Sequence, residues 1–124
     1  MALTREQFAA AMQRRFIERD IPGLGVCRFR SLTQREMGDI RRGWFDDKGN
    51  KDLERLRRVD QFVVASSLVD ADGNRLVTDD DVMRGFFDHL DGGPWAVICA
   101  VVKRHTGWDA GEDWEPIQNA LKNS

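Results

Sequence analysis

The side chains best suited to chemistry in this sequence are carboxylates, and their spacing raises one specific possibility. Asp70, Asp72 and Asn74 stand at positions 1, 3 and 5 of a calcium loop of the EF-hand type, and Asp81 falls at position 12. Such a loop needs Gly at position 6 for its sharp turn and a bidentate Glu at position 12. Here Gly73 lies at position 4, Arg75 occupies position 6, and Asp81 is shorter than the required Glu. A tight turn on Asp72-Gly73-Asn74, followed by the short extended piece Arg75-Leu76-Val77, is the better reading. Asp79, Asp80 and Asp81 suit the first turn of a helix, where negative charge favours the dipole. As a metal site the run has no His or second acidic cluster to complete it.

Other chemistries fail for identifiable reasons. His89 and His105 lack a ligand neighbour at metal spacing, and His105 reads as a cation at a helix end. Cys27 and Cys99 are far apart, flanked by apolar residues and outside any paired motif, so they read as buried free thiols of a reducing compartment. Asp91-Gly92-Gly93-Pro94 lacks the Lys-Ser/Thr ending that holds phosphate and magnesium. Ser66-Ser67 falls inside an amphipathic helix, with no nucleophile elbow around it, and Tyr is absent. No catalytic, cofactor-binding or metal-binding residue is assigned, and an enzyme is not the expectation.

The elements that must position these side chains are mostly helices. Leu3-Thr4 with Gln7 and Phe8, Leu32-Thr33 with Glu36 and Met37, and Val77-Thr78 with Asp81 and Val82 are three capping boxes, each flanked by a hydrophobic staple. The first helix carries Phe8, Met12 and Phe16 at four-residue spacing and is expected to end near Arg14 or Arg15. Ile17 to Ile21 and Val26 to Arg30, joined by Pro22-Gly23-Leu24-Gly25, predict a small β-hairpin that must lean on a helix or a neighbouring subunit. The second helix runs towards Trp44-Phe45, weakened by Gly38 and Gly43. After the loop Asp46 to Asn50, a longer helix starts near Lys51 or Asp52. Leu53, Leu56, Val59, Phe62, Val63, Ser66 and Ser67 form its inward face. Val82, Met83, Phe86, Phe87 and Leu90 give the next helix its apolar side.

Pro94 to His105 is the most continuously apolar stretch. Pro near its start, Lys103, Arg104 and His105 in its last turn, and Gly107 as a left-handed cap favour a helix over a buried strand. Its eight consecutive apolar residues, Trp95 to Val102, are too few to span a bilayer. The expected fold is mainly α, about five helices around this central apolar helix, with the hairpin near the N-terminus. Residues 1–108 form the expected domain. Residues 109–124 are an acidic tail that, with Trp108, either wraps over the core or stays mobile until a partner arrives. The 124 residues, 41% hydrophobic and 32% charged, describe one ordinary globular domain. A net charge of −2 argues against a dedicated nucleic-acid binder, and no secretion signal opens the chain.

The order of these elements resembles a known family. Arg30-Ser31-Leu32-Thr33-Gln34-Arg35-Glu36, then an Arg-rich helix closing in Ala65-Ser66-Ser67-Leu68-Val69-Asp70, then Asp72-Gly73 and Thr78-Asp79, is similar to the tail assembly chaperones of long-tailed bacteriophages. The likeness covers roughly residues 3 to 108. It implies a non-catalytic protein of the host bacterial cytoplasm that binds the helical, hydrophobic tape-measure protein before tail-tube protein polymerises around it. It also implies absence from the mature virion, a homo-oligomer and, in many members, a longer frameshifted form. No cofactor, nucleic acid or membrane is implied. Exposed aromatics near element ends, Trp44, Phe45, Trp108 and Trp114, are the expected partner contacts, with core packing as their alternative. Two other functions stay open: a structural tail or head-tail connector protein, and a small helix-turn-helix DNA-binding regulator. The loop Asp46 to Asn50 is long and acidic for the latter.

Overall fold

Three helices start as their capping boxes dictate. In a computed structural model, which describes residues 1–107, the Thr hydroxyl accepts from the backbone N–H three residues on, while the Gln, Glu or Asp there reaches back to the Thr N–H. These boxes open α1 (Arg5–Ala11), α2 (Gln34–Arg42) and α5 (Asp79–Met83). Between α1 and α2 the hairpin forms as β1 (Phe16–Ile21) and β2 (Gly25–Arg30), antiparallel, with Ile21 opposite Gly25. Pro22 and Gly23 make its turn, Gly23 supplying φ +83° and lying against Pro94, so the hairpin tip does lean on a helix. A two-residue strand, β3 (Leu68–Val69), adds to β2 opposite Arg28 and Phe29. The sheet order is β1-β2-β3.

The remaining helices are α3 (Leu53–Arg57), α4 (Val59–Ser67) and α6 (Gly92–Thr106). The described residues thus make six helices and a three-stranded antiparallel sheet, which corrects the expected five-helix, mainly α arrangement. The centre is also different. Residues Phe62 to Val69 are buried without interruption, and α4 packs against α2, α3, α5, α6 and β3. In α6 only Ile98 and Val102 are buried, while Val97 is 37% exposed and Ala96 and Ala100 face out. The reason is one of area. Alanine exposes little apolar surface, so an unbroken apolar run with Ala on its outer face can lie at the periphery at small cost. Helix α6 instead covers the sheet and α4 with one stripe: Trp95, Ile98, Cys99 and Val102.

Two expected helices are shorter than their apolar patterns. The long helix from Asp52 breaks at Arg58, whose guanidinium reaches Glu54 at 2.8 Å and Asp88 at 3.2 Å. Helix α5 stops at Met83 because Gly85 takes φ +84° with the Asp88 carboxylate packed where a Cβ would stand. Likewise α1 ends at Ala11 and α2 at Arg42, short of the expected Arg14 and Trp44.

The end of α4 is buried, so its last carbonyls cannot turn to water. Val64 C=O accepts from Leu68 N–H, Arg75 Nε donates to Ala65 C=O at 3.1 Å, and Arg30 Nε donates to Ser66 C=O at 2.7 Å. Ser67 Oγ donates to Arg30 C=O at 2.7 Å. Glu36 then pairs with Arg30 at 3.0 Å and Arg14 at 2.9 Å. Burial pushes the Glu36 carboxyl upward, but the Arg14 and Thr33 hydrogen bonds and the Arg30 and Arg14 charges outweigh it, holding it below its ordinary value.

Two chain reversals share one design. In Asp46-Asp47-Lys48-Gly49-Asn50 and Asp70-Ala71-Asp72-Gly73-Asn74 the leading Asp Oδ1 accepts from the backbone N–H groups two and four residues on, at 2.9–3.0 Å. Gly49 and Gly73 take φ +79° and +86°, and a β-bridge closes each loop, Phe45 to Lys51 and Val69 to Arg75. The second loop is the calcium-like stretch, and its Asp70 carboxylate serves the turn while Asp81 caps α5.

The one-sidedness of α6 sets a contrast. Ile98→Ala is expected to cost about 2–5 kcal/mol and Val97→Ala less than about 0.5 kcal/mol, read by urea denaturation. Equal costs would return α6 to the centre of the core. Because the folded Glu36 carboxyl is depressed, its stabilisation is present above the unfolded-state pKa and fades as pH falls through the folded one. Glu36→Gln is therefore expected to melt below wild type at neutral pH, the two curves converging on acidification.

Candidate partner-binding groove

Because β3 covers only Arg28 and Phe29, the turn half of β2 has a neighbour strand on one side alone. Beside that open half lies a concavity of about 650 Å³. Its floor is buried: Leu68, Phe87 and Ile98. Its rim is apolar yet open to water, with Val26 70%, Phe86 58%, Leu76 54% and Leu24 49% exposed. Phe87 packs against Trp95 at 5.0 Å with the rings tilted by 41°, and meets Phe86 edge-on at 5.5 Å, which fixes one wall. Four polar residues share the lining: Glu18, Arg28, Asp70 and His89. Glu18 and Arg28 approach to 3.8 Å, and the Arg28 guanidinium lies over the Phe16 ring at 4.6 Å.

Such a lining takes apolar surface and offers little else. Four large apolar side chains exposed around one concavity mark an interaction site, because there the exposed apolar surface is gathered into a receptacle rather than scattered. The Cys27 thiol lines the groove, and burial, then the Asp20 charge, pushes its pKa up, so it stays protonated. Cys99, on α6, is pushed up by burial to about 11. Neither thiol has the depressed pKa of a nucleophile. Among the described residues no group of three or more His, Cys, Asp or Glu side chains could hold a metal ion, and no helix is long and apolar enough to cross a membrane.

A second cleft of about 340 Å³, between β1 and α6, is lined by Ile17, Arg19, Ala100, Val101, Arg104 and His105. His105 Nε2 meets the Arg15 carbonyl at 3.3 Å. Burial moves its pKa down, with the charges of Arg15 and Arg19 adding to the shift against the opposing carbonyl contact. The ring therefore leans away from the helix-end cation expected of it.

Of the aromatics expected to meet a partner, Trp44 is half-buried against the core and Phe45 is 50% exposed beside its bridge to Lys51. Neither lines the groove. Trp108 and Trp114 lie outside the described residues. The groove residues escaped the sequence because each had a local explanation: Leu24 a turn, Val26 a strand, Leu76 an extended piece, Phe86 a helix face. The available signal was Val26, an apolar residue at the alternate positions of β2 that otherwise carry Arg28 and Arg30. Comparison of the chain with protein-family models, with curated proteins and with solved structures finds no match.

An open apolar groove on a folded protein is detectable with an environment-sensitive apolar dye. The native chain is expected to raise such a dye's fluorescence several-fold, and Val26→Asp or Leu76→Asp to remove most of that signal while melting within a few degrees of wild type. A dye signal indifferent to both substitutions would place the exposed apolar surface elsewhere.

Proposed function

We propose that this chain is a non-catalytic tail assembly chaperone of a long-tailed phage, acting in the host cytoplasm on the tape-measure protein. The observation that carries the reading is the groove rimmed by Leu24, Val26, Leu76 and Phe86, exposed apolar surface arranged as a receptacle. A tape-measure protein is long and helical, and before the tube closes around it the apolar face of each helix is open to aggregation. Laying such a face into an apolar groove, with side chains at i, i+3 and i+4 as anchors, removes it from water reversibly. The element order from Leu32-Thr33 to Thr78-Asp79 adds the likeness to that family. Tail-tube protein and a frameshift-extended form of the chain are further partners on this reading. It involves no metal, cofactor or nucleic acid.

Co-expression of the chain with the tape-measure protein encoded beside it is expected to yield a soluble complex on size-exclusion chromatography. Phe86→Asp should abolish that complex, and an unrelated helical protein should form none. Should the tape measure stay insoluble while this chain elutes alone, the reading fails. Recovery of the chain in finished virions would favour a structural tail protein instead, and salt-sensitive DNA binding would favour a regulator.

A further inference from the structure

We infer that the groove also receives α1 from a second copy of this chain. This rests on the reading of the groove as a receptor for an apolar helix face, and adds a resident occupant. The first observation is the state of α1 itself. Every residue from Met1 to Gln13 is exposed, and α1 buries nothing. Yet it is a built helix with a complete capping box, and Phe8 and Met12, 58% and 69% exposed, lie one turn apart on one face. Seven residues are far too few to hold a helix in water unaided, because nucleation outweighs so short a run of hydrogen bonds. Its apolar stripe needs a covering surface.

Among the described residues there is a groove with no helix seated in it and a helix with no surface against it. Charge agrees with the pairing. Arg5 shares the face of Phe8 and Met12, and the groove margin carries Glu18 and Asp70, with Glu18 already near Arg28. Helix α1 does not fill the groove of its own chain, since no residue of α1 lines it. Arg14 donates to Ser31 C=O at 2.8 Å and Arg15 N–H to Ser31 Oγ at 2.9 Å, pinning the chain just after α1. Only Met12 and Gln13 link α1 to that anchor, which lies at the Phe16–Arg30 end of the hairpin. The exposed rim at Leu24 and Val26 lies at the opposite, turn end. The occupant is therefore another copy's α1, and the contact is heterologous, helix of one chain into groove of the next. A contact of that kind continues from copy to copy as a ring or an open chain, and a client helix competes with α1 for the same seat.

Sedimentation velocity on the full chain tests this through complementation. Wild type is expected to grow in size with concentration. Phe8→Asp retains the groove and loses the helix stripe, Phe86→Asp does the reverse, and each alone should stay monomeric. Mixed in equal amounts they should form a one-to-one dimer and nothing larger. Both positions are exposed, so unchanged melting temperatures control for folding, and Leu76→Asp replaces Phe86→Asp should the latter unfold. A wild type that remains monomeric at all concentrations, a Phe8→Asp chain that associates as wild type does, or a mixture without dimer overturns the inference. The functional reading is scored separately. A monomeric wild type that captures the tape measure sinks this inference alone, and a self-associating chain that captures no tape measure sinks only the functional reading.

Discussion

A helix whose end is buried must find partners for carbonyls that water cannot reach, and the architecture follows from how α4 does so. The chain passes from Ser67 straight into β3, so there is no exposed loop in which those groups could be solvated. Two arginines from different elements fill the gap: Arg30 from the end of β2 and Arg75 from beyond β3. A cation at a helix C-terminus also complements the dipole. Each arginine is itself held by a carboxylate, Arg30 by Glu36 on α2 and Arg75 by Asp79 on α5. The sheet, α2 and α5 are thereby bound to one helix end by charge-assisted bonds, and the apolar core fills in around α4.

That arrangement leaves the opposite side of the sheet incomplete. With β3 limited to Leu68 and Val69, the turn end of β2 extends past its neighbour and overlooks the segment from Phe86 to Leu90. The gap is apolar because its floor is the edge of the core, and it is open because, among the described residues, no strand continues along it. The candidate site is a by-product of a short strand, and its rigidity comes from the elements that α4 holds together.

What was legible in the sequence was local. Three capping boxes, the Pro22-Gly23 turn and the two Asp-containing loops each place their instructions within a few residues, and each formed as read. What was not legible depended on what lies across from a residue. Trp95 to Val102 reads as a core helix because apolarity is continuous, but only contact decides burial, and the most deeply buried helix is the one with Ser66 and Ser67 in it. Gly85 stopped α5 inside a pattern that continued past it. The groove gathers Leu24, Val26, Leu76 and Phe86 from three separate stretches, so no window of sequence contains it.

The paired loops at Asp46 to Asn50 and Asp70 to Asn74 stand on either side of the α3–α4 segment, and both close on themselves. Their hydrogen bonds run from one Asp oxygen to nearby backbone, with a glycine at the bend. The two residues between Asp and Gly in each, Asp47-Lys48 and Ala71-Asp72, contribute no side chain to those bonds. Ala71 borders the groove, so Asp47-Lys48 is the port where the outer coat of the molecule can be rewritten, with a fluorophore or a new epitope, while the bend beneath keeps its shape.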